Sequence, residues 1–232
     1  MQLQKVTSAG KGEGNRPDRR WYDDACGTAL AMELVGERWS LLIVRELMFG
    51  ARRFGEIKAN LPGISANVLT QRLDGLVAAG IALRRRLPSP ANVQVYDLTD
   101  WGRDAAVAIR ELGRWAARSP RHDPLLFMST ASAMVSLQTL IDPVRARDVA
   151  MDVAFRFPND AFIATLVDGV LSIVRGEAEA ADVTFDGDTM AMRRTIYGKE
   201  GFDGDGLLAV SGDRAAAQRF VDLFALPAKL AG

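Results

Sequence analysis

The side chains that most often carry enzymatic chemistry are scarce in this sequence. It contains one cysteine, Cys26, and one histidine, His122, far apart in the chain. Cys26 has no evident base partner, and a zinc site of the cysteine–histidine kind would lack ligands. Carboxylates such as Asp182 and Asp186 fall in strand or turn positions, where solvated or capping roles are the simpler interpretation. The residues therefore argue against an enzyme, and we expect neither a metal nor a cofactor.

Cys26 is open to two interpretations. It lies near the N-terminus of a predicted helix, where the helix dipole lowers the pKa of a thiol and favours a redox role. Asp23 and Asp24 directly precede it and oppose thiolate formation. A free cysteine is also a common buried hydrophobic residue. The sequence leaves both a redox sensor and a small packing side chain as alternatives.

A second group of side chains suits hydrogen bonding to the edges of DNA bases. Between residues 65 and 79, leucines repeat at helical spacing, which turns short polar side chains to the opposite face. Asparagine and glutamine match adenine edges, and arginine matches guanine or phosphate. A serine at the helix start can cap it and leave N–H groups for a phosphate. The predicted DNA contacts of this helix are Ser65, Asn67, Thr70, Gln71 and Arg72.

Basic residues follow this helix in a predicted hairpin. Strand-like segments at 81–87 and 92–98 flank Pro88-Ser89-Pro90-Ala91. Arginines entering such a hairpin suit phosphates or the minor groove, although a solvated charged hairpin is the simpler alternative. The further DNA contacts that we predict are Arg53, Arg84, Arg85, Arg86 and Asn92.

Helical patterns before and after the hairpin would position these side chains. Apolar spacing predicts helices over about 25–36, 39–50, 54–60, 65–79 and 99–117, with Asp24 as the first cap. Prolines and polar residues at 117–124 interrupt the helical pattern and mark a boundary. Helices followed by a basic hairpin and a last helix have the order of a winged helix-turn-helix, which makes duplex DNA the expected partner.

Charge divides the chain in the same way. Residues 1–120 carry 18 basic and 13 acidic side chains, whereas residues 121–232 carry 11 and 16, so the neutral total hides a basic and an acidic half. This asymmetry favours a polyanion partner for the first half. No apolar run is long enough to cross a bilayer, and residues 1–20 read as a flexible arm rather than a secretory signal. We expect a cytoplasmic protein without membrane insertion.

The second half has an α+β pattern. Apolar spacing predicts a helix over 125–141, and alternation predicts a strand over 151–157. Asp168-Gly169 between apolar runs predicts a hairpin. A strand at 182–185, a helix at 188–197, a strand at 207–211 and a helix at 213–224 complete the pattern. Phenylalanines are numerous enough to fill a core, although some could line a cavity for an apolar ligand.

Residues 26–118 resemble the HxlR family of bacterial winged-helix transcription regulators, relatives of MarR. The matching motifs include Gly36-Glu37-Arg38-Trp39-Ser40-Leu41-Leu42-Ile43, Arg53-Phe54-Gly55-Glu56-Ile57, Leu61-Pro62-Gly63-Ile64-Ser65 and Tyr96-Asp97-Leu98-Thr99. The sequence departs from the family at Gly55, where asparagine is usual, and at Gln94-Val95, where valine and glutamate are usual. The resemblance implies homodimers that bind two-fold related operators. In several members, a cysteine at the position of Cys26 senses oxidants or electrophiles.

Residues from about 128 to 226 resemble the sterol-carrier-protein domain. The matching motifs are the hairpin Phe162–Val174, Ala181-Asp182-Val183-Thr184-Phe185-Asp186-Gly187-Asp188, and Gly206-Leu207-Leu208-Ala209-Val210-Ser211-Gly212-Asp213. The resemblance implies a five-stranded sheet with helices and an apolar tunnel for lipid-like molecules. The candidate ligand contacts, chosen because they are apolar, are Leu137, Phe155, Leu166, Met190, Met192 and Phe220. A packed core is the simpler alternative for each of them.

Together these patterns predict an α+β chain of two domains. A flexible arm at 1–20 precedes a winged helix-turn-helix DNA-binding domain at 21–120. A sterol-carrier-like domain with a mainly antiparallel sheet follows at 125–232. The predicted function is that of a homodimeric transcription regulator whose operator affinity is modulated by an apolar small molecule in the C-terminal domain. The alternative is a lipid-binding or carrier protein that uses its winged helix for dimerisation only.

Overall fold

Two hydrophobic cores organise residues 22–230, the part of the chain that this computed structural model describes. The arm predicted at 1–20 lies outside the described residues. Helices and a hairpin surround the first core, and a five-stranded sheet with helices surrounds the second. Within residues 22–230, no helix combines the length and the apolar character that a membrane crossing requires.

The N-terminal region has the order of a winged helix-turn-helix. Its elements are α1 (Gly27–Val35), α2 (Ser40–Leu47), α3 (Phe54–Ala59), α4 (Ala66–Ala78), β1 (Ala82–Arg86), β2 (Gln94–Leu98) and α5 (Asp100–Ala117). Strands β1 and β2 pair antiparallel as the wing. Arg52 extends this sheet, because its backbone exchanges two hydrogen bonds with Tyr96, at 2.9 and 2.8 Å. The helix that we expected to read DNA therefore lies directly before a wing.

Local sequence signals account for the ends of these helices. The Ser65 hydroxyl caps α4 by accepting a hydrogen bond from the Val68 amide at 3.2 Å, as predicted. Leu69, Leu73 and Leu76 are buried on the inner face of α4. The predicted Asp24 cap is wrong: α1 begins at Gly27 after Cys26, and the Asp24 carboxylate accepts from the Cys26 amide at 2.8 Å. Asp24 lies two residues before the N-cap position, which Cys26 occupies.

The C-terminal region is an α+β layer. Its elements are α6 (Thr130–Leu140), α7 (Pro143–Ala146), β3 (Met151–Phe157), β4 (Asp160–Val167), β5 (Val170–Arg175), β6 (Val183–Asp186), α8 (Thr189–Ile196), β7 (Ala209–Gly212) and α9 (Arg214–Asp222). The sheet order is β5-β4-β3-β6-β7. Strands β3 and β6 run parallel, and the other neighbouring pairs run antiparallel. The sheet is therefore mainly antiparallel.

The helix predicted over 125–141 begins five residues later than expected. Its cap is Ser129, whose hydroxyl accepts from the Ser132 amide at 3.1 Å. The preceding segment stays non-helical because the Arg193 guanidinium takes the carbonyl groups of Pro124 and Leu126 as acceptors. A contact from a distant helix thus overrides the apolar periodicity of Leu125 and Leu126.

Buried polar contacts join the two regions. The Asp160 carboxylate at the start of β4 accepts hydrogen bonds from Arg52 and, at 2.8 Å, from Arg175 on β5. Phe49 enters the C-terminal core and meets Phe162 edge to face, with ring centroids 5.5 Å apart. The C-terminal sheet therefore holds the segment between α2 and α3, which is paired with the wing strand β2.

Two glycines of α5 provide a matched test of how closely this helix approaches Ile81. A Cβ at Gly102 would collide with the Ile81 carbonyl oxygen, whereas a Cβ at Gly113 meets open space. We expect Gly102→Ala to lower the free energy of unfolding by about 1–3 kcal/mol, as overpacking does. Gly113→Ala should raise it by up to about 1 kcal/mol, because alanine favours a helix. Urea unfolding measures both. Equal effects of the two substitutions would contradict the close approach of α5 to Ile81.

Candidate nucleic-acid interface

The exposed face of α4 carries the short polar side chains that base reading requires. Asn67, Thr70 and Gln71 are exposed, and none of them forms a side-chain hydrogen bond with another described residue. The opposite face is fixed by leucines with at most 1% exposure. A rigid helix therefore presents free amide and hydroxyl groups, which suits direct contact with base edges in a major groove.

Arg72 has a different role from the one expected. Its Nε donates to the Arg38 carbonyl oxygen at 3.1 Å, and its Nη2 lies 2.8 Å from the Glu37 carboxylate. These contacts tie α4 to the connection between α1 and α2. The structure thus directs Arg72 away from the exposed face and towards the positioning of the helix.

The three wing arginines have different partners. Arg84 forms an ion pair with Asp74 of α4, so it joins the wing to the helix. Arg85 is paired with Asp97 at 2.9 Å. Arg86 donates to the neutral amide oxygen of Asn92 at 2.7 Å. Because a neutral partner leaves the charge of Arg86 uncompensated, Arg86 is the best-placed wing contact for a phosphate.

Two further residues were predicted to touch DNA. Arg53 is exposed at the start of α3, where its backbone amide donates to the Glu56 carboxylate at 2.7 Å. Asn92 lies in the wing turn rather than in the strand expected at 92–98, because β2 begins at Gln94. The Asp74–Arg84 pair places the wing beside α4, so Arg86 and Asn92 belong to the same side of the molecule as the polar face.

Sequence reasoning missed the acidic residues that hold the wing. Asp97 has an exposure of only 7% and accepts hydrogen bonds from Arg85 and, at 3.3 Å, from Arg103 of α5. Its position in Tyr96-Asp97-Leu98-Thr99 was a usable signal, since that motif ends the hairpin. Asp97 and Asp74 reduce the positive charge of the wing while they fix its geometry.

Comparisons with known proteins identify this arrangement. The model of the HxlR-like helix-turn-helix family matches residues 34–123. The HTH-type transcriptional regulator YvaP of Bacillus subtilis is 39% identical over 87 residues, which cover 37% of this chain and 80% of YvaP. The chain belongs to the HxlR-like helix-turn-helix family. The resemblance noted from its motifs is thus confirmed for this region.

Other relatives match over the same region. An HTH-type transcriptional regulator of Mycobacterium tuberculosis is 48% identical over 96 residues, 41% of this chain; the match spans 59% of that relative's length. The solved reduced form of the transcriptional regulator YodB from B. subtilis is 33% identical and matches over 43% of this chain and all of YodB, with a TM-score of 0.39. A quinone-bound form of YodB is also known. The family likeness concerns the N-terminal region.

The residues expected to bind an apolar ligand lie outside the part that matches the HxlR-like family. Five of them are buried in the C-terminal core, namely Leu137, Phe155, Leu166, Met192 and Phe220, whereas Met190 is 37% exposed. The Phe155 ring lies 5.4 Å from Phe185 and 5.9 Å from Phe220. These residues pack against one another in the C-terminal core. An apolar cavity between the two regions is lined by other side chains.

Cys26 is exposed and occupies the N-cap position of α1, ahead of the residues that match the HxlR-like family. The backbone and hydroxyl of Thr28 and the Ala29 amide, at the start of the helix, hold the pKa of the Cys26 thiol below its ordinary value. The acidic neighbours do not reverse this effect, and the Asp24 carboxylate is occupied by the Cys26 amide. The thiol is therefore accessible and more acidic than a free cysteine, rather than buried as a packing residue.

The acidity of Cys26 can be measured through its alkylation. Because the thiolate is the reactive form, the rate with iodoacetamide should reach half of its maximum at a lower pH than for N-acetylcysteine amide. Thr28→Val removes a hydroxyl that lowers the pKa of the thiol and should move this midpoint upward, whereas Thr184→Val, the same change on β6 of the C-terminal region, should not. Identical midpoints for the protein and the free thiol would contradict the hydrogen-bonded start of α1.

Proposed function

We propose that the protein is a transcription regulator that binds operator DNA, with α4 in the major groove and the wing on the flanking backbone. The observation that carries this proposal is the free polar face of Asn67, Thr70 and Gln71 beside the exposed Arg86. The amides supply sequence reading, and arginines on the wing supply sequence-independent attraction. Membership of the HxlR-like family supports the same function.

A homodimer is the proposed assembly. Large apolar side chains are exposed on α1 and α5, among them Leu30 and Met32 on the first helix and Val107 and Trp115 on the second. Trp115 alone is 72% exposed. Contiguous exposed apolar surface on a soluble domain usually marks an interface. Two copies joined here would present two α4 helices, which fits a two-fold related operator.

The C-terminal region is proposed to receive the signal. Its five-stranded sheet with helices supports the resemblance to sterol-carrier domains, and a bound apolar small molecule would modulate operator affinity. A ligand acts in this way only if it binds one arrangement of the dimer better than another. We propose a cytoplasmic location. A lipid-binding protein that uses its winged helix only to dimerise is the alternative, and it requires that the polar face of α4 be unused.

The exposed, acidified thiol of Cys26 supports a second input. YodB has been solved in reduced and quinone-bound forms, which makes an oxidant or electrophile a reasonable ligand class for this relative as well. Cys26 lies at the start of α1, one of the two helices proposed for the dimer interface, so modification there would act on the spacing of the two α4 helices.

DNA binding can be tested without knowing the operator. Selection from a pool of random-sequence duplexes should enrich a two-fold related site, whose affinity is then followed by fluorescence anisotropy. We expect Arg86→Ala to weaken binding to every duplex and to lower the salt slope by about 1, because one phosphate contact is lost. Gln71→Ala should instead change the preferred bases at one position of each half-site.

Arg219→Ala is the matched control, since it removes an exposed arginine of the C-terminal region and should leave both quantities unchanged. If no duplex is enriched, or if Gln71→Ala and Arg86→Ala both bind like the unchanged protein, the regulator proposal fails. Lipid uptake with no enrichment of any duplex would favour the carrier alternative.

A further inference from the structure

An apolar cavity of about 400 Å³ lies between the two regions of the chain. Helices α2 and α5 of the N-terminal region form one side, and α6 and α8 of the C-terminal region form the other. Its apolar walls include Leu41, Leu42, Ile109, Leu112, Met128 and Val135. A space of this size is within the usual range for small-molecule sites, which bury an apolar body and orient it by a few polar groups.

Polar side chains line this cavity from several elements, and they include Arg45 of α2, His122 of the linker, Ser136 of α6, Arg193 of α8 and Tyr197 directly after α8. The Tyr197 and Ser136 hydroxyls are 2.8 Å apart. Because the Ser136 hydroxyl donates to the Ala133 carbonyl oxygen at 2.7 Å, Tyr197 donates to Ser136, and the proton of each hydroxyl is taken. Burial raises the pKa of Tyr197, so its hydroxyl stays protonated. Arg193 is only 7% exposed and supplies a positive charge to the cavity.

The charge of Arg193 is poorly compensated. Its Nε donates to the Thr189 carbonyl oxygen at 3.2 Å, and its Nη1 donates to the carbonyl oxygens of Pro124 and Leu126. Its Nη2 meets only the Met190 sulfur at 3.5 Å, a weak acceptor. The carboxylates of Asp188 and Asp123 interact with Arg193 electrostatically, but neither of them forms an ion pair or a hydrogen bond with its guanidinium. A buried cation of this kind gains from an anion at its side.

We propose that this cavity binds a small lipophilic carboxylic acid. The carboxylate accepts from the Nη2 group of Arg193, and the apolar body extends between α2, α5 and α6. The proposal rests on the proposed function in that it names the ligand class and moves the site from the interior of the C-terminal sheet to the junction of the two regions.

The position of the cavity explains how such an acid could act on DNA binding. Leu41 and Leu42 of α2 face the cavity, and Ile43 and Val44 of the same helix belong to the core that contains Leu69 of α4. A molecule that spreads α2 from α6 would therefore displace the helix that supports α4. Affinity for DNA changes by as much as the acid prefers one arrangement over the other.

Titration calorimetry of the full chain with decanoate, below its micelle concentration, tests the site without DNA. Decan-1-ol is the neutral probe of equal length. We expect decanoate to bind more tightly than decanol, and Arg193→Gln to weaken decanoate roughly tenfold, as the loss of a hydrogen bond to a charged group does, with little effect on decanol. The matched control, Arg219→Gln, removes an exposed arginine and should change neither.

A second variant protects the test against misfolding of Arg193→Gln, whose side chain also holds the linker. Gly113 lines the cavity, and a Cβ there meets open space, so Gly113→Leu fills the cavity while it favours the α5 helix. We expect this variant to fold, with a thermal midpoint no lower than that of the unchanged chain, and to lose decanoate and decanol together.

Three results would overturn the proposal: no heat with decanoate, equal affinity for decanoate and decanol in the unchanged chain, or unaltered binding by Gly113→Leu. A change in dimer mass with Gly113→Leu, without a change in decanoate binding, would assign the cavity to a second copy of the chain instead. If a duplex is enriched but no acid binds, the cavity proposal fails and the regulator proposal stands. If the acid binds as expected but no duplex is enriched, the cavity proposal stands and the regulator proposal fails.

Discussion

One buried carboxylate, that of Asp160, holds the two regions of this protein together. Its side chain is 6% exposed and lies between the guanidinium groups of Arg52 and Arg175. Burial lowers the pKa of Arg175, with a further contribution from the nearby charge of Arg52, so the carboxylate is needed to keep two cations in the same buried place. Such clusters add little net stability, but removing one partner is costly because the others stay buried and unpaired.

The cluster of Asp160, Arg52 and Arg175 connects the C-terminal region to the wing through Arg52. Its side chain reaches the C-terminal sheet, while its backbone is hydrogen-bonded to Tyr96 of the wing. A few residues earlier, the buried Glu46 of α2 accepts from the Ser129 hydroxyl at 2.7 Å, which joins α2 to the cap of α6. The wing and the helix that supports α4 are thus both attached to the C-terminal region, and a molecule bound between the regions acts on both.

The N-terminal region could be predicted in detail because its signals are local. Ser65 is followed by leucines at helical spacing, and the polar face of α4 follows from that spacing alone. The partners of the wing arginines could not be predicted, since Asp74 and Asp97 meet Arg84 and Arg85 only through the folded hairpin. The role of Arg72 was hidden for the same reason, because its acceptor on Arg38 lies in the connection between α1 and α2.

In the C-terminal region, the sequence pattern predicted strands and turns but not which apolar side chains line a cavity. Alternation predicted β3, and Asp168-Gly169 predicted the turn between β4 and β5, but apolar character could not separate core from cavity. Phe155 and Phe220 were as plausible for ligand contact as Leu41 and Val135, and only the fold shows which side chains face open space. The contact between Arg52 and Asp160 joins residues that are far apart in the sequence, so no local sequence pattern predicts it.

The central claim is that the C-terminal region holds the wing in its DNA-binding position. The most direct measurement is the duplex affinity of Asp160→Asn against that of Asp168→Asn, at one salt concentration and where near-ultraviolet circular dichroism shows both variants folded. The two changes remove the same charge, so the variants have equal net charge, and Asp168 is exposed in the turn after β4, away from the Arg52 contact. The account predicts that Asp160→Asn binds roughly fivefold more weakly, a coupling of about 1 kcal/mol. Equal affinities would contradict it.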